Sequence, residues 1–110
     1  MTLTAAQHEA RQNRIGGSEA AIVCGVSPWK TPLQLYLEKT GAVPREDISN
    51  KAPVVWGNRL EDVVCDAYAE ETGRKLRRVN RSIIAADYDF MVAHIDRKVE
   101  GVPEGFEAKT

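Results

Sequence analysis

The stretch M-V-A-H-I-D-R-K-V-E-G-V-P-E-G-F-E-A-K-T, Met91–Thr110, decides how the chain is read. Met91 to Val99 is apolar and β-like, V-E-G-V-P-E-G is turn material, and Phe106 to Thr110 reads as a final short strand. In a strand, side chains at i and i+2 share a face, so Glu107 and Lys109 point one way while Phe106 and Ala108 point the other. Asp96 lies near the end of the preceding strand, and a hairpin would set the two strands side by side. Two carboxylates and a lysine brought together suit a hard divalent cation, with the lysine placed to position or deprotonate an attacking water. The plainer reading of the same residues is a solvated strand edge carrying an ion pair.

Upstream, the pattern is helical. T-A-A-Q at Thr4–Gln7 has capping-box spacing and predicts a short helix to about Asn13. Ser18 is expected to cap a second short helix, with Glu19 in its first turn and Gly25 as its stop. Thr31, Pro32 and Gln34 open a third, closed by Gly41. Residues 42–52 are polar and aperiodic, so they predict a loop. The longest helix is expected over Pro53–Thr72, stopped by Gly73, with Trp56, Leu60, Val63, Val64 and Ala67 as its core-facing stripe. Lys75–Val79, Ser82–Ala86 and Met91–Val99 follow as strands. Helices first and an antiparallel meander after them predict an α+β fold. The division is an N-terminal helical part, residues 1–41, and a long helix plus strands, residues 53–110, within one domain of residues 1–110.

Composition sets the frame. At 110 residues, with 43% hydrophobic and 28% charged residues, the chain suits one compact domain. The formal net charge of -1 supplies no global basic field, so contact with a polyanion must come from local patches or metal ions. The run Gly73–Arg81 carries five basic residues, readable as a solvated strand pair or as a phosphate-tracking strip. Cys24 and Cys65 read as small buried thiols, Trp29 and Trp56 as core anchors, and His94 as a neutral packed or hydrogen-bonded histidine rather than a metal ligand. No apolar run approaches the ~18 residues of a membrane-spanning helix and no secretory leader is recognisable, so the expected compartment is the cytoplasm.

Three blocks then stand in order: R-I-G-G-S-E-A-A-I-V-C-G-V-S-P-W-K-T-P, W-G-N-R-L-E at Trp56–Glu61, and H-I-D…E-A-K. Together they resemble the YqaJ-like viral recombinase family, relatives of lambda exonuclease in the D…(D/E)-x-K nuclease superfamily. The resemblance implies a restriction-endonuclease-like core and a phage-type recombination enzyme, bacterial or phage-encoded. Its activity would be metal-dependent hydrolysis of DNA phosphodiesters with Mg²⁺ or Mn²⁺. It implies Asp96, Glu107 and Glu61 as metal ligands, and Lys109 as the residue that orients or activates the hydrolytic water. It also implies Arg11 and Ser18 as phosphate contacts. Ile95 stands where the family usually has proline, and Glu19 where aspartate is common. The implied partners are double-stranded DNA ends, a single-strand annealing protein and further copies of the chain, with no membrane. The family fold continues past the E-x-K strand with a helix and a strand, so the chain reads as truncated there. A non-catalytic domain that binds DNA or a partner is the alternative.

By residue type alone, Arg11 is an exposed helix charge, Ser18 an N-cap and Glu61 a carboxylate at the boundary of its helix face. Gly16 and Gly17 would admit close approach of a phosphate to the backbone.

Overall fold

The computed structural model describes residues 3–110, which divide into two compact units. The first holds Thr4–Glu46 and Arg81–His94; the second holds Leu3, Asp47–Asn80 and Ile95–Thr110.

In the first unit, local capping chemistry sets the helices. Helix α1 (Ala5–Gln12) begins where Gln7 N–H donates to Thr4 Oγ1 at 3.2 Å and Thr4 N–H donates to Gln7 Oε1 at 2.9 Å. A 3-10 turn (Gly17–Glu19) leads into the one-turn α2 (Ala20–Val23), and α3 (Pro32–Lys39) repeats the capping box with Thr31 and Gln34. Ser18 is not the cap the sequence suggested. Gly16 holds that position because the turn begins at Gly17, ahead of Ser18, and the Glu19 carboxylate, at its third residue, accepts the Gly16 N–H at 2.9 Å. Leu35 is the buried residue of α3, while Trp29 is 90% exposed and therefore no core anchor. Cys24 is exposed as well.

The same unit contains the antiparallel pair β2 (Ile83–Ile84) and β3 (Val92–Ala93), with Ile84 opposite the buried Val92. Ile15 extends the pair through a parallel bridge to Met91: its N–H donates to Phe90 O at 2.7 Å, and Val92 N–H donates to Ile15 O at 3.0 Å.

The second unit is built on α4 (Ala52–Thr72, 21 residues), which ends at Gly73 in the left-handed conformation, φ 71°. Its buried side chains are Glu61 and Cys65, flanked by half-buried Val54, Gly57, Val64 and Tyr68. The expected core stripe is thus rotated. Trp56 and Val63 are 54% and 61% exposed, and the Arg59 guanidinium lies 5.1 Å over the Trp56 ring. What turns the charged side inward is a partner far along the chain, taken up below.

Against this helix lies the sheet β1-β4-β5: β1 (Leu76–Arg78), β4 (Arg97–Val99) and β5 (Gly105–Phe106), all antiparallel. Its register pairs Arg78 with Arg97 and Arg97 with Phe106. The Phe106 ring packs against Tyr68 of α4, the rings tilted by 42° with centroids 4.6 Å apart. Helices followed by antiparallel strands make the chain α+β, as read from sequence. The apolar run Met91–Val99 is nonetheless two strands in two different sheets, separated at His94–Asp96. The final strand stops at Phe106, leaving Glu107–Thr110 outside the ladder. No helix among the described residues is long and apolar enough to cross a membrane.

Candidate active site

Asp96 sits at the entry to β4 and is buried; its Oδ2 accepts the Ala108 N–H at 2.8 Å. That bond ties the E-A-K segment to Asp96 after the ladder has ended. It also places Asp96 close enough to add to the field that holds Lys109 in its charged form. Lys109 Nζ donates to Glu107 Oε1 at 2.8 Å, and this hydrogen bond is the main reason its pKa lies above the ordinary lysine value. The pair is open to solvent, with Lys109 81% exposed along its side chain.

Glu61 faces the same neighbourhood from the middle of α4, where its partner is Arg97. The guanidinium is buried, 7% exposed, and makes three contacts: Nη1 donates to Glu61 Oε2 at 3.3 Å and to the Asp96 carbonyl at 2.7 Å, and Nη2 donates to Asp62 Oδ1 at 2.6 Å. Asp62 also takes Arg78 at 3.0 Å. Cys65, one turn along, has its thiol pKa pushed up by burial and by the charges of Glu61, Asp62 and Asp96, against the pull of Arg97. It therefore stays a neutral, packed thiol rather than a nucleophile.

The donor chemistry, carboxylate oxygens throughout, fits a hard divalent cation. The placement is a different matter. Among the described residues no three His, Cys, Asp or Glu side chains are gathered so as to hold a metal ion. Glu61 is engaged by Arg97 and Glu107 by Lys109. Asp96 is thus bonded to the backbone of the E-A-K segment, Glu107 is paired with Lys109, and Glu61 is joined to the Asp96 carbonyl through the guanidinium of a residue that sequence reasoning passed over.

In the first unit, Arg11 and Ser18 do meet: Arg11 Nη2 donates to Ser18 Oγ at 3.3 Å. The same nitrogen lies 3.4 Å from Glu19 Oε1, and Lys39 Nζ lies 3.0 Å from Glu19 Oε2 and donates to the Arg11 carbonyl at 2.6 Å. Glu19 is buried between them. Burial pushes its pKa up, but the Gly16 N–H, Lys39 and Arg11 outweigh this and hold the carboxyl below its usual range. His94 Nε2 shares a 2.8 Å hydrogen bond with Ser82 Oγ, and burial, with Arg11 and His8 nearby, lowers its pKa, so neutral imidazole is favoured. In the basic run, Arg74 is paired with Glu104 at 2.7 Å and Arg78 with Asp62.

Sequence reasoning missed Arg97, Lys39 and Glu19 as parts of these clusters. A signal existed for Arg97, a charge directly after Asp96 and only two residues before the apolar Val99. None existed for Lys39, which reads as an ordinary basic residue in a last helical turn.

A sequence model of the YqaJ-like viral recombinase domain matches residues 7–110. The uncharacterized protein YqaJ of Bacillus subtilis (strain 168) is 38% identical over 100 residues, which cover 91% of this chain and 31% of that protein. Among solved structures, an alkaline exonuclease, LHK-Exo, from Laribacter hongkongensis has a similar fold, with TM-score 0.68 at 20% identity over 89% of this chain and 49% of the exonuclease. The chain therefore spans about a third of the curated relative's length and about half of the exonuclease's.

Proposed function

The chain belongs to the YqaJ-like viral recombinase family, and from that premise we infer that residues 1–110 are one nuclease-like domain that hydrolyses DNA phosphodiesters in phage-type recombination. The observation that carries this reading is the 2.8 Å bond from Ala108 N–H to the buried Asp96 carboxylate, which locks the E-A-K segment onto the aspartate.

Asp96, Glu107 and Glu61 would hold Mg²⁺ or Mn²⁺. When bound, such an ion supplies Lewis-acid stabilisation of charge on the phosphate and eases deprotonation of water. The chain's own residues do the rest. The Ala108 N–H fixes one oxygen of Asp96, so its carboxylate needs little reorganisation. Lys109 orients the attacking water and offsets the negative charge that develops on the phosphate oxygens. Arg11 and Ser18 grip a phosphate of the DNA backbone. Arg97 keeps Glu61 beside the Asp96 backbone, the place from which Glu61 would help hold the cation. Duplex DNA ends are the substrate, with a single-strand annealing protein and further copies of the chain as partners in the cytoplasm.

The test is cleavage of linear duplex DNA with Mg²⁺ or Mn²⁺ by the chain and by its Asp96→Ala and Lys109→Ala variants. Metal-dependent cleavage lost in both variants is the expected result. A second reading, a nuclease-derived domain that only binds DNA or a partner protein, is favoured by the engagement of Glu61 with Arg97 and Glu107 with Lys109. DNA binding that survives both substitutions, with no cleavage in any variant, would establish it instead.

A further inference from the structure

We propose that Lys39 is a positioning residue for the Arg11–Ser18 phosphate grip, acting through Glu19. The proposal rests on the nuclease reading above and extends it to a residue outside the matched blocks.

Lys39 holds Arg11 at both ends. Its ammonium donates directly to the Arg11 carbonyl, at 2.6 Å, in the last turn of α1, joining the Arg14 N–H that the same oxygen accepts at 3.1 Å. It also binds Glu19 Oε2 at 3.0 Å, while Oε1 of the same carboxylate takes the Gly16 N–H at 2.9 Å and faces Arg11 Nη2 at 3.4 Å. One carboxylate thus fixes the guanidinium relative to the Gly16–Gly17 backbone, and Lys39 fixes the carboxylate.

Charge explains why a lone Glu19 would not serve. A one-to-one pair of Arg11 with Glu19 is neutral and offers an anion little. With Lys39 added, two cations share one carboxylate and the cluster is formally positive, so Arg11 keeps its attraction for a phosphate. Donor capacity is present too. Arg11 Nε is buried and has no acceptor among the described residues, and Ser18 Oγ, accepting from Arg11, has its own hydroxyl proton to donate. Gly16 leaves the room: a Cβ there would lie 3.3 Å from Arg11 Nε and 3.4 Å from Nη2.

The experiment is fluorescence anisotropy of a labelled linear duplex oligonucleotide with the full chain, without divalent metal, across a range of salt. Arg11→Gln should weaken binding about tenfold and reduce the salt slope by about one. Lys39→Met should weaken it to a similar degree, yet add less than about twofold in the Arg11→Gln background, because both act on one contact. Lys39→Arg should restore affinity. Glu19→Gln guards against a Lys39→Met chain that does not fold. Positioning predicts weaker binding for it, whereas simple removal of a negative charge predicts tighter binding. Full additivity of Lys39→Met with Arg11→Gln, or tighter binding by Glu19→Gln, overturns the proposal. A silent Lys39→Met beside an impaired Arg11→Gln overturns it while leaving Arg11 as a phosphate contact. A silent Arg11→Gln removes that contact and the proposal together.

Discussion

Arg97→Met should unfold the second unit's charged centre. The guanidinium is 7% exposed and the Glu61 side chain 9%, so the substitution takes the Arg97 charge away from a buried carboxylate. Removing one partner of a buried pair costs about 3–5 kcal/mol. Two features pull the figure toward the low end. The contact to Glu61, at 3.3 Å, is longer than the ~2.8 Å of a strong charge-assisted bond, and Asp62 is 66% exposed, so its share is at most ~1 kcal/mol. One feature pulls it back up: the Asp96 carbonyl loses a 2.7 Å bond from a charged donor, a class worth about 1.5–3 kcal/mol. The expected loss is about 3 kcal/mol, seen as a fall of about 12 °C in the thermal midpoint. Urea unfolding followed by circular dichroism measures it, and an unchanged m-value would show that only stability has moved. Pairing the change with Glu61→Leu removes both charges and should recover most of the loss, since buried ion pairs replaced by apolar groups are often neutral or stabilising. A loss below about 1 kcal/mol for Arg97→Met alone would refute the reasoning, because water would then be solvating Glu61 despite its burial.

Acid should destabilise the chain in two stages. His94 has its pKa held below 6.5, so the stability it contributes is present above that value and lost as pH falls through the folded pKa. Glu19 is held below 4.5, so its contribution is present above that value and lost at lower pH. Thermal midpoints measured against pH should flatten in the upper limb for His94→Gln and in the lower limb for Glu19→Gln. Trp29→Ser should change stability by less than about 0.5 kcal/mol in chemical denaturation, since a side chain 90% exposed has little burial to lose. Millimolar Mg²⁺ should raise the thermal midpoint, by about 1.4 kcal/mol of stability at tenfold excess over Kd, and Asp96→Asn should abolish the gain. A flat wild-type response would count against every carboxylate assigned to the metal.

The features legible in the sequence are those set by neighbours along the chain. Thr4 with Gln7, Thr31 with Gln34, and Gly73 each solve a local problem of unpaired backbone groups, and each appears where the spacing placed it. The buried face of α4 was not legible. Hydrophobicity pointed to Trp56 and Val63, but Glu61 is turned inward by Arg97, 36 residues away, which no window over one helix can see. The break in Met91–Val99 has a similar origin. Asp96 is held by Ala108 from beyond β5, and although His94 and Asp96 make the run polar at that point, nothing local says that its two halves join different sheets. Asp96, Glu107 and Lys109 could be found as a motif. Lys39 could not, since its role depends on Arg11, 28 residues earlier, and on Glu19.

Burial in this chain is unusual in kind. Among the described residues the buried apolar side chains are Leu35, Cys65, Val92 and Val99, while Gln7, Glu19, Glu61, Asp96 and Arg97 are buried and polar. Stability alone does not favour that choice, because desolvating an ion pair consumes most of what the pair returns, and well-packed apolar residues would serve as well. Charges kept in the interior at such expense are more readily explained by what they do than by what they hold together. Each ionic cluster falls on residues that the nuclease reading needs: Glu61 and Asp96 around Arg97 in one unit, Arg11 around Glu19 in the other. The apolar replacement of Glu61 and Arg97 therefore separates the two explanations. If it leaves the fold intact and removes metal-dependent cleavage, the charges serve chemistry; if cleavage survives, they are structural after all.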